Sequence, residues 1–211
     1  MMVGHFSMAP RNFLQLYVIR VPLAKSAISC VYEFLKRKTQ TIYKELLQAI
    51  LTQCDELHLN IDPMTIILDF EMAAINAIHA TLREQIHVQG CFYHLTQSAW
   101  RKIQELGLVT LYKENEEFRM FCGMMNALAL LPLEEVQKGL QLFDDIAPEE
   151  AGELLHYFDV NYVNGYYRRI QPDENICICR ISPQFPPNLW NVHNATVNGD
   201  PCTHNQCEGW N

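Results

Sequence analysis

The run Thr65-Ile66-Ile67-Leu68 ends abruptly in Asp69-Phe70-Glu71, and this junction constrains the fold more than any other part of the chain. Four residues of strand-forming character stop at a carboxylate. A helical pattern then begins through Met72, Ala73, Ile75, Asn76, Ile78 and His79. Such a junction puts Asp69 at the carboxyl end of a parallel strand. Open α/β sheets assemble their sites there, because strand ends and helix starts converge on one crevice. A second acid, Glu208, stands far along the chain within Asn205-Gln206-Cys207-Glu208-Gly209-Trp210, and two such carboxylates can meet to share a divalent ion.

The rest of the chain is consistent with one α/β domain carrying an insertion. Its 211 residues are 49% hydrophobic and 19% charged, enough for a sizeable core and unlike a disordered chain. A formal net charge of −8 excludes broad nonspecific adhesion to nucleic acid. It leaves room for a local basic face, since Arg11, Arg20, Lys25, Lys36, Arg37 and Lys38 cluster near the start. No secretory leader and no long apolar span stand out, so the eight cysteines read as reduced, mostly buried thiols of an intracellular protein.

Asn12–Ile19 and Ala27–Leu35 read as strands, with Pro22 breaking the chain between them. Thr39–Cys54 has helical spacing with Thr39 or Thr41 as N-cap, and Met64–Leu68 is the buried strand. A helix over about 70–85, a strand over Ile86–Phe92 and a helix from Leu95 to Leu106 continue the alternation that marks parallel strands. From Leu111 to Val163 the pattern is all-helical, with three or four helices. Pro132 and Pro148 stand near helix starts, and Asp144, Asp145, Glu149 and Glu150 lie in or beside first turns. Asn175–Pro187 reads as a loop and Trp190–Thr203 as irregular chain, with a helix starting near His204. The domain boundaries expected are 1–107 for the α/β core, 108–170 for the helical insertion and 171–211 for a loop and the start of a closing helix.

Several segments, in this order, resemble the catalytic domain of Mutator-like (MULE) transposases, which have a ribonuclease-H-like fold. They are Phe6-Ser7-Met8-Ala9-Pro10 with Phe13-Leu14-Gln15-Leu16-Tyr17, then Lys38-Thr39-Gln40 with Tyr43, then Asp69-Phe70-Glu71 with Ala73 and Ala77. Gly90-Cys91-Phe92-Tyr93-His94-Leu95 with Gln97 follows, then Leu128-Ala129 with Pro132, Trp190-Asn191, and Asn205-x-x-Glu208-Gly209-Trp210. The resemblance implies a mixed sheet flanked by helices, with an all-α insertion before the last acidic helix. It also implies DNA strand cleavage and transfer driven by three carboxylates holding two Mg²⁺ or Mn²⁺ ions, a DNA partner, a nuclear site of action and room for a homo-oligomer, with no membrane association. On this likeness Asp69 is the second acid and Glu208 the third, both metal ligands, while Cys91 and His94 support the site.

The first acid departs from the pattern. It should precede a Gly-x-Phe turn at the end of the central strand, and here Val3 precedes Gly4-His5-Phe6. Valine cannot ligate metal. With only Met1 and Met2 before it, the central strand itself is expected to be missing, as in a fragment or decayed copy, and catalysis is expected to be lost. A non-enzymatic, domesticated DNA- or protein-binding module is the contrasting expectation, and a zinc-stabilised interaction domain built on the late cysteines is a third.

Blander readings stand beside each site. Asp69 is a natural helix cap, Glu71 a first-turn dipole residue, and Cys91 a buried thiol next to a hydrogen-bonded histidine. A Cys-His nucleophile lacks an oxyanion arrangement. Cys177, Cys179, Cys202, His204 and Cys207 match no common zinc spacing. Lys36-Arg37-Lys38 reads as a solvated helix start or a DNA-backbone contact, and Trp210 as a packing residue.

Overall fold

The computed structural model describes residues 1–23, 26–83, 85–170 and 177–203. The chain forms two compact units; among the described residues the first comprises Met1–Cys91 and Thr203, and the second Phe92–Cys202. Among the described residues, no helix is long and apolar enough to cross a membrane.

The first unit is built on a five-stranded mixed sheet of order β3-β2-β1-β4-β5. Its strands are β1 (Met2–His5), β2 (Gln15–Leu23), β3 (Ser26–Leu35), β4 (Thr65–Leu68) and β5 (His87–Gly90). The central strand expected to be missing is therefore present. β1 pairs antiparallel with β2 through Met2↔Ile19 to His5↔Leu16, and parallel with β4 at Met2↔Leu68. Four residues are too short for a periodic signal, yet ladders on both sides hold them and bury Met2 and Val3.

Pro22 does not break the chain. β2 runs through it to Leu23, with Pro22 opposite Ala27 of β3 and past the residues of β2 that pair with β1. β3 lies at the sheet edge with alternating exposure, so Cys30, expected to be buried in its apolar run, is exposed. Among the described cysteines Cys91 and Cys122 are the buried ones and none is in a disulfide.

Helix α1 (Gln40–Glu56) starts where expected: Thr39 is extended, and its hydroxyl accepts from the Ile42 N–H at 3.4 Å. The α1 face carrying Tyr43, Leu46 and Leu47 is buried, and the Tyr43 ring lies 5.1 Å from that of Tyr17 on β2. Helix α2 (Met72–Thr81) buries Ala74, Ile75, Ala77 and Ile78, and small side chains there let α1 pack closely on it.

The second unit is mainly helical: α3 (Phe92–Glu105), α4 (Val109–Glu114), α5 (Glu116–Ala127), α6 (Val136–Ile146) and α7 (Gly152–Phe158). Leu95, Ala99 and Ile103 form the buried stripe of α3, at the four-residue spacing of one helix face. Asn115 caps α5 by accepting from the Phe118 N–H at 3.0 Å. Pro132 and Pro148 each precede a 3₁₀ turn that leads into α6 and α7, as their fixed φ favours. Asp144 and Asp145 lie instead in the last turn of α6, not beside a helix start.

The supposed loop around residues 175–187 contains a strand. β6 (Tyr166–Ile170) and β7 (Cys177–Ile181) pair antiparallel from Tyr166↔Ile181 to Ile170↔Cys177. Gly165 enters this hairpin at φ 75°, where a Cβ would strike the Ile181 carbonyl, so glycine is required. The segment from Trp190 onward is not irregular throughout. It includes the end of α8 (Pro187–Trp190) and all of α9 (His193–Asn198), which Gly199 terminates at φ 72°. Two motif segments distant in sequence meet here: the Val192 N–H donates to the Ala129 carbonyl, and Asn191 Nδ2 to that of Leu131, both at 2.8 Å. The helix expected near His204 lies outside the described residues.

Candidate functional site: the acid row at the strand ends

Across β1, β4 and β5 the register runs Met2–Leu68–Gly90. One step further along the same register come Val3, Asp69 and Cys91. The Cys91 N–H donates to the Leu68 carbonyl at 2.9 Å, so the ladder continues to this level. The sheet thus brings the position of the expected first acid level with Asp69. What stands there is a buried valine, 4% exposed.

Asp69 is not the N-cap residue of α2. The N-cap of α2 is Glu71, whose carbonyl accepts from the Ala74 and Ile75 amides, and the Glu71 N–H turns back to the Asp69 carbonyl at 2.7 Å. Nor does the Glu71 side chain make a capping bond. It binds Lys38 at 2.8 Å, and the same ammonium lies 4.4 Å from the centre of the Phe6 ring. Lys38 therefore ties the chain after β4 to the chain after β1, combining an ion pair with a cation–π contact.

Beneath these turns lies a buried polar network that sequence reasoning missed. Gln15, 1% exposed, donates from Nε2 to the Tyr43 hydroxyl at 2.7 Å, which leaves the phenol proton free to face Glu71. Burial first, then the neighbouring Glu71 carboxylate, push the Tyr43 phenol far above its ordinary range. Tyr17 is pushed up too, by burial first and then by Tyr43, Glu71 and Asp69. Both phenols therefore stay protonated at any physiological pH. Gly4 is part of the same arrangement: a Cβ there would strike Gln15 Oε1, so glycine lets the amide lie against the strand.

Tyr43→Phe should then lower stability by about 1–3 kcal/mol, because it leaves the buried Gln15 amide without its acceptor. Urea unfolding measures this. Unchanged stability would mean that Gln15 does not depend on Tyr43.

Cys91 is fully buried at the end of β5. His94 lies in the first turn of α3, in the second unit, half-buried and with the Tyr93 ring 5.4 Å away edge-on. Glu208, His204 and Cys207 lie outside the described residues. Cys202 sits near Thr196 Oγ1 at 3.6 Å. Among the described residues no three His, Cys, Asp or Glu side chains converge as a metal centre requires. The described donor set at the strand ends does not fit a two-ion centre: Val3 offers no oxygen, and Glu71 is engaged by Lys38.

The fold and this row define an α/β protein with an acid at the carboxyl end of a parallel strand. Residues 11–98 match the family model described as the MULE transposase domain. No curated protein and no solved structure gives a match. The matched segment contains Asp69, Cys91 and His94; Val3 and Glu208 fall outside it.

Proposed function

We propose that this chain is a MULE-transposase-derived DNA-binding domain whose core is ribonuclease-H-like and whose strand-cleavage chemistry is lost. The observation that carries the reading is Val3, buried and apolar at the level of Asp69, where the family places its first acid. The mixed sheet, with a short central strand and an acid beside it, supports the ribonuclease-H-like assignment. On this reading residues 1–107 are the core, 108–170 an inserted helical block and 171–211 a loop and the start of the C-terminal core helix.

Asp69 is then the surviving second acid and Glu208 the third, with Cys91 and His94 supporting the row. An intact site would hold Mg²⁺ or Mn²⁺ on its acids, to activate the attacking oxygen and stabilise the leaving one. With valine as one of the three, the remaining carboxylates lack the oxygen ligands to hold two hard cations.

A nicking assay on supercoiled DNA with Mn²⁺ tests the proposal. The chain and its Asp69→Ala variant are expected to be equally inactive, while both retain DNA binding in a gel shift. Nicking by the parent chain that Asp69→Ala abolishes would overturn the loss of activity.

A further inference from the structure

Three helices of the second unit surround a groove of about 480 Å³, a volume suited to a small planar ligand. From α3 come Tyr93, Gln97 and Trp100, spaced on one helix face; from α4, Tyr112; and from α5, Cys122 and Asn126, one turn apart. Trp100 and Tyr112 meet edge to face at 5.0 Å, so each keeps a ring face for another contact. Tyr93 is 37% exposed at the rim.

The polar groups are placed differently. Gln97 is held in position, accepting from Arg101 Nη2 at 2.8 Å. Asn126 Oδ1 is buried and has no hydrogen-bond partner among the described residues. A buried amide oxygen without a donor costs free energy and stays in place only where something else provides for it. What it lacks is an N–H. Arg101 is exposed beside the groove, and Arg119 lies against the end of α4, donating to the Lys113 carbonyl at 3.2 Å.

From these features we propose that the groove between α3, α4 and α5 binds one unpaired nucleobase bearing an exocyclic amine, presented by a single strand of DNA. The aromatic rings provide stacking, which every base satisfies. Asn126 Oδ1 accepts from the amine, the kind of carboxamide contact that distinguishes adenine or cytosine from thymine. Arg101 and Arg119 meet the flanking phosphates. With two cations engaged in a chain of net charge −8, stacking dominates and the salt dependence is shallow. None of the residues lining the groove belongs to the acid row, and the proposal needs no metal.

Fluorescence anisotropy with labelled oligonucleotides in EDTA tests it, and EDTA keeps the acid row out of the result. An oligo-dA strand is expected to bind more tightly than oligo-dT and than a duplex of the same sequence. Trp100→Ala should weaken the oligo-dA complex about 5- to 100-fold. Asn126→Leu removes the buried orphan oxygen, so it should leave the melting temperature unchanged or higher while bringing oligo-dA down to the oligo-dT level. This second variant separates loss of binding from loss of folding. Equal affinity for duplex and single strand, or an Asn126→Leu variant that still prefers oligo-dA, would overturn the proposal. So would free dAMP competing as well as the strand, since the ligand would then be a mononucleotide.

Discussion

Val3→Asp is expected to destabilise the metal-free protein and to give it a stabilising response to Mn²⁺ that the parent chain lacks. Val3 is 4% exposed in the central strand, and the new carboxylate would be level with Asp69. Burying that charge without a partner costs several kcal/mol in order of magnitude. Desolvation and the second carboxylate both raise the pKa of the introduced acid above its unfolded value of about 3.9. A raised folded-state pKa gives a variant that is least impaired below that unfolded value. Its deficit grows as pH rises through the folded-state value. A divalent ion held by the two carboxylates reverses part of the loss, by about 2.7 kcal/mol at a hundredfold excess over its dissociation constant. Thermal melts with and without Mn²⁺ between pH 4 and 8 measure both effects. Val3→Asn is the control, since it buries a polar group of similar size but has no charge to attract a cation. If Mn²⁺ leaves Val3→Asp unmoved, the two positions do not converge and the acid-row reading fails.

What made this site legible was local. The apolar run into Asp69, the helix that follows and the Thr39 cap all lie within a few residues of their own signals, and they fold as the sequence indicates. The central strand was hidden for the opposite reason. Met2–His5 gains its stability from pairing with β2 on one side and β4 on the other, and neither partner is visible in four residues. The Gln15–Tyr43 bond and the Glu71–Lys38 pair escaped for the same cause, since their members come from β2, α1 and the turns around them. Asp144 and Asp145 were misplaced because Pro148 signals the next helix start, whereas α6 runs on to Ile146 before it. β7 was missed because Cys177-Ile178-Cys179 has little strand signal on its own; the register with β6 makes it a strand.

Trp190→Ala is expected to cost the helical unit about 3–5 kcal/mol, a large share of an ordinary domain's total stability. Trp190 is fully buried at the end of the one-turn helix α8, which has almost no stability of its own. Its ring meets Phe158 at 5.8 Å, and Phe158 and Phe185 in turn stack on Tyr162 at 5.2 and 5.7 Å. The indole also has a polar task. Its Nε1–H is shared between the carbonyls of Tyr162 at 2.9 Å and Phe185 at 3.0 Å, and both are deprived of it in the variant. Trp190→Phe separates the two contributions. It keeps most of the aromatic packing and removes the N–H, so it should cost about 1–3 kcal/mol. Urea unfolding of both variants, followed by far-ultraviolet circular dichroism, measures the difference. Equal losses would assign the whole effect to the hydrogen bond, and a negligible loss in Trp190→Phe would assign it to the ring. The expected outcome lies between them, because Trp190 both fills the aromatic core and satisfies the carbonyls where the chain leaves α7 and enters α8.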